Sequence, residues 1–149
     1  MSQVRREIEI GASPETVFSL LTDLSRLPDW STITLETHDP TPSPLGKGDT
    51  FRQTLRILGR RMETEWLVTE LDNPHHVAYQ ATGPAGAQLE MRQTVKGTGA
   101  GSTVAFDAEY RLPGGFIGDL AELIAGRRNE REVEHSMQNL KDLAELHAG

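Results

Sequence analysis

Aromatic rings and single polar side chains share one face of two neighbouring segments in the middle of the chain. The first segment places Phe51, Gln53 and Leu55 two residues apart, and the second does the same with Thr64 and Trp66. Side chains two residues apart lie on one face of a β-strand. Bulky apolar groups around a few hydrogen-bonding ones are typical of a small-molecule pocket, although a filled core whose polar groups satisfy one another has the same composition.

The same period of two continues through the three segments that follow residue 76. We therefore predict one inward-facing set of aromatic, aliphatic, methionine and polar side chains around a ligand. Its members are Phe51, Gln53, Leu55, Thr64, Trp66, Tyr79, Leu89, Met91, Gln93, Phe106 and Tyr110. Methionine adapts to irregular surfaces, and the glutamines, Thr64 and Tyr79 would orient the polar end of the ligand.

Residue types that usually catalyse reactions lack the spacing that such chemistry needs. The chain has no Cys, and its five His residues occur at neither HExxH nor 2-His-1-carboxylate spacing, so we expect no metal and no cofactor. No Ser lies in a GxSxG turn that would expose a nucleophile. The acidic candidates alternate outward, which favours solvated surface charge over acid–base work. They are Glu63, Glu65, Asp107 and Glu109.

A glycine-rich stretch at residues 97–101 has the composition of a phosphate-binding loop. Such a loop follows a strand, precedes a helix and, in a P-loop, ends in a lysine followed by Ser or Thr. This stretch instead precedes a predicted strand and has no such lysine. It therefore predicts a hairpin turn.

The first elements that would position these side chains follow from the hydrophobic period and from capping residues. Residues 4–10 alternate apolar and charged side chains, which predicts a half-buried strand. Ser13-Pro14-Glu15 is typical of a helix start, and an apolar stripe continues from there to Leu24. Leu27-Pro28-Asp29-Trp30 is predicted to break this helix, because the residue before a proline avoids helical angles.

Six further segments with a period of two predict a mostly antiparallel sheet of about seven strands in all. They begin near residues 33, 51, 62, 77, 89 and 104 and are separated by turn residues. A helical period then extends from Phe116 to Leu146. The apolar residues before position 126 and those after position 132 lie on different sides of this predicted helix. The helix therefore either kinks near Gly126 or covers two different surfaces with its two halves.

Composition limits the classes of protein that the chain can belong to. It has 149 residues, 36% of them hydrophobic, and a net charge of −7, which fits a single domain over residues 1–149. The negative charge argues against a nucleic-acid partner. No stretch approaches the ~18 apolar residues of a membrane span, and no apolar run follows Arg5-Arg6 as in a secretory signal. We expect a cytoplasmic monomer or weak homodimer.

Several stretches resemble the SRPBCC (START-like) superfamily, most specifically its polyketide cyclase/dehydratase-like branch. They are residues 10–18 (IGASPETVF), 24–30 (LSRLPDW), 46–49 (GKGD), 68–74 (VTELDNP) and 101–104 (GSTV). The resemblance implies an α+β helix-grip fold, in which a curved antiparallel sheet wraps around the long C-terminal helix, with a short helical unit after the first strand. It also implies a deep, largely apolar cavity between sheet and helix.

The function that this resemblance implies is the binding of a hydrophobic small molecule, such as an aromatic, polyketide-like or lipid-like compound. In the resembling family, the segment that ends at Trp30 lies near the mouth of the cavity. Trp30 is therefore expected to gate access together with Phe116 and Leu120, or instead to fix the helical unit to the sheet.

Two other functions stay open. A polyketide cyclase or dehydratase would use the same cavity, and such enzymes are expected to polarise a carbonyl or enolate with a cation in the pocket. Arg52, Arg56 and Arg92 alternate outward, so only a bulge that shifts the register by one would turn Arg52 or Arg92 inward. The other alternative is a protein-interaction module of the co-chaperone kind, which needs an exposed docking face.

Overall fold

A computed structural model describes residues 2–32, 34–38, 45–57, 60–111 and 127–148. They form one antiparallel sheet, a helical unit after its first strand and a long C-terminal helix. Phe116, Leu120 and Gly126 lie outside the described residues. The gate and the kink that involve them therefore stay predictions.

The sheet has seven strands in the described part of the chain, as predicted. They are β1 (Ser2–Ile10), β2 (Thr34–His38), β3 (Thr50–Ile57), β4 (Arg60–Asp72), β5 (His76–Thr82), β6 (Gln88–Thr98) and β7 (Gly101–Arg111). Their order is β1-β7-β6-β5-β4-β3-β2, and every neighbouring pair is antiparallel. The first strand pairs with the last, and strands β2 to β7 are each next to their neighbour in sequence.

The helical unit begins where its capping residues predict. Helix α1 (Pro14–Thr22) starts after Ser13, whose Oγ accepts a hydrogen bond from the backbone N–H of Thr16 at 3.2 Å. This bond satisfies one of the amide donors that the first turn of a helix leaves unpaired. Val17 and Leu21 on the apolar stripe are fully buried, so α1 packs firmly against the rest of the molecule.

The predicted helix break at Leu27-Pro28-Asp29-Trp30 is wrong. Helix α1 ends earlier, at Thr22, and a 3₁₀ turn (Leu24–Arg26) then leads into α2 (Leu27–Trp30). Leu27 precedes a proline but has helical angles, φ −52° and ψ −43°. Pro28 lies in the first turn of α2, where its missing N–H would be unpaired in any case, and burial of Leu27 opposes the steric preference.

Two irregularities in strand register bend the sheet. The β2–β3 register shifts between Thr34 and Glu36, and the β4–β5 register shifts between Val68 and Glu70. Bulges of this kind bend a strand and increase its twist. They contribute to the curvature of the sheet and leave the pairing of β3 with β4 and of β6 with both of its neighbours continuous.

The C-terminal helix α3 (Arg127–Ala148) packs with one stripe against β1, α1 and α2. Met137, Leu140 and Ala144 on that stripe are buried. Near its end, Lys141 Nζ donates a hydrogen bond to the carbonyl of Glu9 at 3.2 Å, and Glu145 Oε2 accepts one from Gly11 N at 3.0 Å. These two bonds hold the end of α3 against the end of β1.

Candidate ligand-binding site

Three aromatic rings from three adjacent strands form one cluster on the inner face of the sheet. Phe51 and Trp66 are directly paired across β3 and β4, and their rings stack at 14° with centroids 5.9 Å apart. Tyr79 on β5 meets both rings edge-on, at 86° to Phe51 and 80° to Trp66. Both arrangements are favourable for aromatic quadrupoles. The pairing register therefore brings together rings that lie far apart in the sequence.

This ring cluster lines a cavity of about 110 Å³ between the sheet and the helices. Most of the side chains predicted to surround a ligand lie on its walls. They are Trp30, Phe51, Gln53, Leu55, Trp66, Tyr79, Met91, Gln93 and Phe106. Alternation along β3 to β7 turns the sheet residues of this set to the same side, which is why a period of two located them.

Five predicted residues are not seen on the cavity walls. Thr64 and Leu89 face inward but do not line the cavity, and Leu89 packs against the edge of the core. Tyr110 lies in β7 opposite Leu89, and its side chain is outside the described part of the structure. Phe116 and Leu120 lie outside it altogether, as noted above.

Sequence reasoning missed the wall that the helices and the edge strand supply. It consists of Leu21, Leu24, Leu27, Ser31, Thr34, Ser136 and Met137. The apolar stripes of the helices mark three of these seven residues, Leu21, Leu24 and Met137, as buried. The period of a helix does not indicate whether its buried face meets side chains or a cavity, so the pattern alone could not assign them to the site.

The polar groups beside the ring cluster are satisfied by one another. Trp66 Nε1 donates to Thr64 Oγ1 at 2.8 Å, and Thr64 Oγ1 donates to the carbonyl of Gln53 at 2.9 Å. Gln53 Oε1 accepts from Thr34 Oγ1 at 3.0 Å. Thr64 thus fixes the orientation of the Trp66 indole, and the predicted role of Gln53 as a ligand contact competes with its bond to Thr34.

At the other end of the cavity, two polar atoms lack a partner. Trp30 Nε1 and Gln93 Oε1 are buried and make no hydrogen bond among the described residues. Trp30 packs its indole against Phe106, with ring centroids 6.3 Å apart and a tilt of 58°. Trp30 is therefore part of the cavity wall and also connects α2 to the sheet. The contact with the sheet is the second of the two roles predicted for Trp30.

Tyr79 is the one titratable side chain among the described residues on the cavity walls. Burial raises the pKa of its hydroxyl well above the ordinary value of about 10, because desolvation disfavours the phenolate. The phenol therefore stays protonated throughout the physiological pH range. Chemically it can donate a hydrogen bond to a ligand, and it cannot serve as a base near neutral pH.

The arginines considered as carbonyl-polarising groups lie on the opposite face of the sheet. Arg52, Arg56 and Arg92 are all exposed, and no bulge occurs in the β3–β4, β5–β6 or β6–β7 register at Arg52 or Arg92. Among the described residues, no group of three or more His, Asp or Glu could hold a metal ion. No described helix has both the length and the apolar character to cross a membrane.

A hydrogen-bonded group on the outer face was not expected. Thr54 is completely buried there and donates to the Glu63 carboxylate at 2.9 and 3.0 Å. His38 Nε2 lies 2.6 Å from Thr54 Oγ1. Because the hydroxyl proton is directed to Glu63, the histidine nitrogen is the donor of this bond. A base beside a hydroxyl can activate a nucleophile, but the buried hydroxyl of Thr54 gives a substrate no access.

Comparison with known proteins places this architecture in a family. Residues 1–145 match the sequence profile of the family described as polyketide cyclase/dehydrase and lipid transport. The chain belongs to this family. The uncharacterized protein Rv1546 of Mycobacterium tuberculosis is 31% identical over 149 residues, which cover 99% of each chain. Toxin Rv0910 of the same organism is 22% identical over 139 residues, covering 93% of this chain and 95% of that protein.

Solved structures share the fold of this member of the polyketide cyclase/dehydrase and lipid transport family. CV1439 from Chromobacterium violaceum has a TM-score of 0.77 and 14% identity, over 97% of this chain and 99% of that chain. TTHA0849 from Thermus thermophilus has a TM-score of 0.75 and 20% identity, over 99% and 100%. A START superfamily protein from Mycobacterium smegmatis has a TM-score of 0.70 and 21% identity, over 97% of both chains. These likenesses confirm the START-like, helix-grip fold.

Proposed function

We propose that this protein binds an apolar, aromatic small molecule in the cavity between its sheet and α3. The observation that carries the proposal is the cluster of Phe51, Trp66 and Tyr79 on the cavity wall. Aromatic pairs prefer offset-stacked or edge-on contacts at centroid distances of ~4.5–7 Å. A planar ligand beside these rings would continue an arrangement that the protein already uses.

The driving force is removal of apolar surface from water. Each 100 Å² of apolar ligand surface buried contributes about 2.5 kcal/mol before the cost of association is subtracted. The Trp66 N–H and the Gln53 carboxamide oxygen are already held by Thr64 and Thr34. This side of the cavity therefore accepts an apolar body without leaving a buried polar atom newly unpaired.

The size of the cavity favours a compact ring system. The walls enclose about 110 Å³, and a dry protein cavity of about 150 Å³ can hold benzene. This cavity is smaller than that one but is not fully enclosed, so one ring of a two-ring probe such as naphthalene or a simple derivative can lie in its opening. Membership of a family that includes lipid transport proteins agrees with binding of an apolar compound.

The alternative of a cyclase-type or dehydrase-type enzyme has one residue in its favour. Tyr79 is a protonated, buried donor on the cavity wall, and a donor can stabilise a developing oxyanion. Because Arg52 and Arg92 face away from the cavity, they do not supply the cation that was expected for this chemistry. Binding is the function that more of the described residues support.

Two measurements test the proposal. Native mass spectrometry of protein purified from its own host, with organic extraction of whatever is released, should find an apolar compound at about one per chain. Isothermal titration calorimetry should show binding of naphthalene to ligand-free protein. A protein that carries no compound and also binds no naphthalene would contradict the proposal.

A further inference from the structure

Two cavity residues each carry a buried polar atom that has no partner among the described residues. Trp30 Nε1 is a hydrogen-bond donor and Gln93 Oε1 is an acceptor. Both side chains line the cavity and are only 4% exposed. Nearly all buried polar atoms in native proteins are hydrogen-bonded, because one that is not has lost water and gained nothing. A partner that accepts a hydrogen bond from Trp30 Nε1 and donates one to Gln93 Oε1 would therefore stabilise this part of the cavity.

The orientation of the Gln93 amide supports the presence of an unpaired acceptor. Its nitrogen lies 3.5 Å from the sulfur of Met91, to which it donates. A thioether has no proton to give, so the amide nitrogen, rather than the oxygen, faces the sulfur. The oxygen is thereby left as an unpaired acceptor.

The donor and the acceptor border the same end of the cavity. Gln93 on β6 lies directly opposite Phe106 on β7, and opposed residues in a sheet are about 5 Å apart at Cβ. Trp30 packs on the same Phe106 ring at a centroid distance of 6.3 Å. Trp30 and Gln93 are thus both neighbours of Phe106 on β7, whereas the satisfied pair of Thr64 and Trp66 lies on β4.

We infer that the ligand carries an uncharged hydroxyl group, as a phenol, enol or alcohol, which accepts a hydrogen bond from Trp30 and donates one to Gln93. This inference rests on the proposed function and specifies its ligand. A hydroxyl has one proton and two lone pairs, so it satisfies both atoms. An ether or ketone only accepts. A carboxylate also only accepts, and it brings a charge that no described side chain on the walls would neutralise.

The test compares four probes of nearly the same shape by isothermal titration calorimetry. They are naphthalene, 2-naphthol, 2-methoxynaphthalene and 2-naphthoate. We expect 2-naphthol to bind about tenfold more tightly than naphthalene, since two hydrogen bonds form to atoms that were unpaired. The methoxy compound, which accepts but cannot donate, should bind more weakly than 2-naphthol, and 2-naphthoate more weakly than naphthalene.

Two substitutions identify the atoms responsible. Trp30→Phe removes the donor, and Gln93→Met removes the acceptor with little change in length. Each should reduce the ratio of 2-naphthol to naphthalene affinity about three- to tenfold. Val68→Ala is the control, because Val68 is buried on the same face of the sheet but does not line the cavity. It should leave that ratio unchanged.

The possible outcomes separate this inference from the proposed function. If naphthalene and 2-naphthol bind equally well, or if both variants keep the preference for 2-naphthol, the hydroxyl inference is wrong and the binding function stands. If none of the four probes binds, the hydroxyl inference is wrong, and the binding function is wrong as well when the purified protein also carries no compound. Circular dichroism checks the fold of each variant. Should Trp30→Phe fail to fold, Gln93→Met and the methoxy compound still decide the question.

Discussion

Trp66 stacks on Phe51, its direct partner across β3 and β4, at an interplanar angle of 14° and a centroid distance of 5.9 Å. The indole N–H of Trp66 is held by Thr64 Oγ1 two residues away, on the same face of β4. The indole plane is thus fixed by a ring on one strand and a hydroxyl on its own strand. A wall fixed in this way is preorganised for a planar ligand, because binding requires little further ordering of side chains.

The first prediction concerns Trp66→Ala. Truncation of a tightly packed Trp costs about 3–5 kcal/mol. Because Trp66 borders a cavity, we expect a smaller loss in the free energy of unfolding, together with an approximately tenfold or greater loss of naphthalene affinity. Urea denaturation and titration calorimetry measure the two effects.

Val68→Ala is the control for this variant. Val68 lies on the same face of β4, is 1% exposed and does not line the cavity. Its truncation should reduce stability and leave naphthalene affinity unchanged. A full-sized stability loss in Trp66→Ala without any change in affinity would place Trp66 in an ordinary core.

The second prediction concerns the junction of β7 with the end of β1. A Cβ on Gly101 would clash with the carbonyl oxygen of Ile10, so Gly101→Ala forces the two backbones apart. We expect a loss of more than about 2 kcal/mol in the free energy of unfolding. Gly99→Ala, two residues earlier, is the control, since nothing lies within 4 Å of a Cβ at that position. Equal urea midpoints for the two variants would contradict the prediction.

Much of the sheet and of the sheet side of the site could be predicted from the sequence. A period of two marks which side chains share a face, and a seven-stranded antiparallel sheet needs only turn residues between such segments. Ser13 and Pro14 located the start of α1 because capping is a local interaction. The family resemblance then placed the sheet around the C-terminal helix.

The rest depends on interactions between distant parts of the chain. Thr54 alternates with Gln53 and Leu55 and therefore lies on the outer face, yet it is fully buried because His38 and Glu63 cover it. Leu27 is helical before a proline because it packs into the core. Neither the burial of Thr54 nor the helical conformation of Leu27 can be predicted from neighbouring residues in the sequence. Each depends on which strand or core surface lies opposite.

The third prediction is a pH dependence at the contact of α3 with β1. Hydrogen bonds from Lys141 and from the backbone N–H of Gly11 lower the pKa of Glu145 below its ordinary value of about 4.5. A lowered folded-state pKa means that the carboxylate stabilises the folded protein above about pH 4.5 and that this contribution is lost as pH falls through the folded-state pKa.

Glu145→Gln should therefore be less stable than the original protein at neutral pH, and the difference should shrink as the pH is lowered into the acidic range. Leu146→Ala, an exposed position without a titratable group on the same helix, is the control and should show no such trend. Thermal unfolding of the three proteins from about pH 3 to about pH 7 measures this. A stability difference for Glu145→Gln that stays constant with pH would contradict the prediction.

The fourth prediction compares the two tryptophans in the absence of ligand. Trp30→Phe and Trp66→Phe remove the same atoms from the walls of the same cavity. Only the Trp66 variant breaks a hydrogen bond, the one that Nε1 donates to Thr64, whereas Trp30 Nε1 has no partner among the described residues. Trp66→Phe should therefore reduce the free energy of unfolding by about 1 kcal/mol more than Trp30→Phe. Urea denaturation of ligand-free protein gives both values. Equal losses, or a larger one for Trp30→Phe, would mean that the Trp30 N–H is already bonded within the folded chain, and a ligand hydroxyl would then have no unpaired donor to meet.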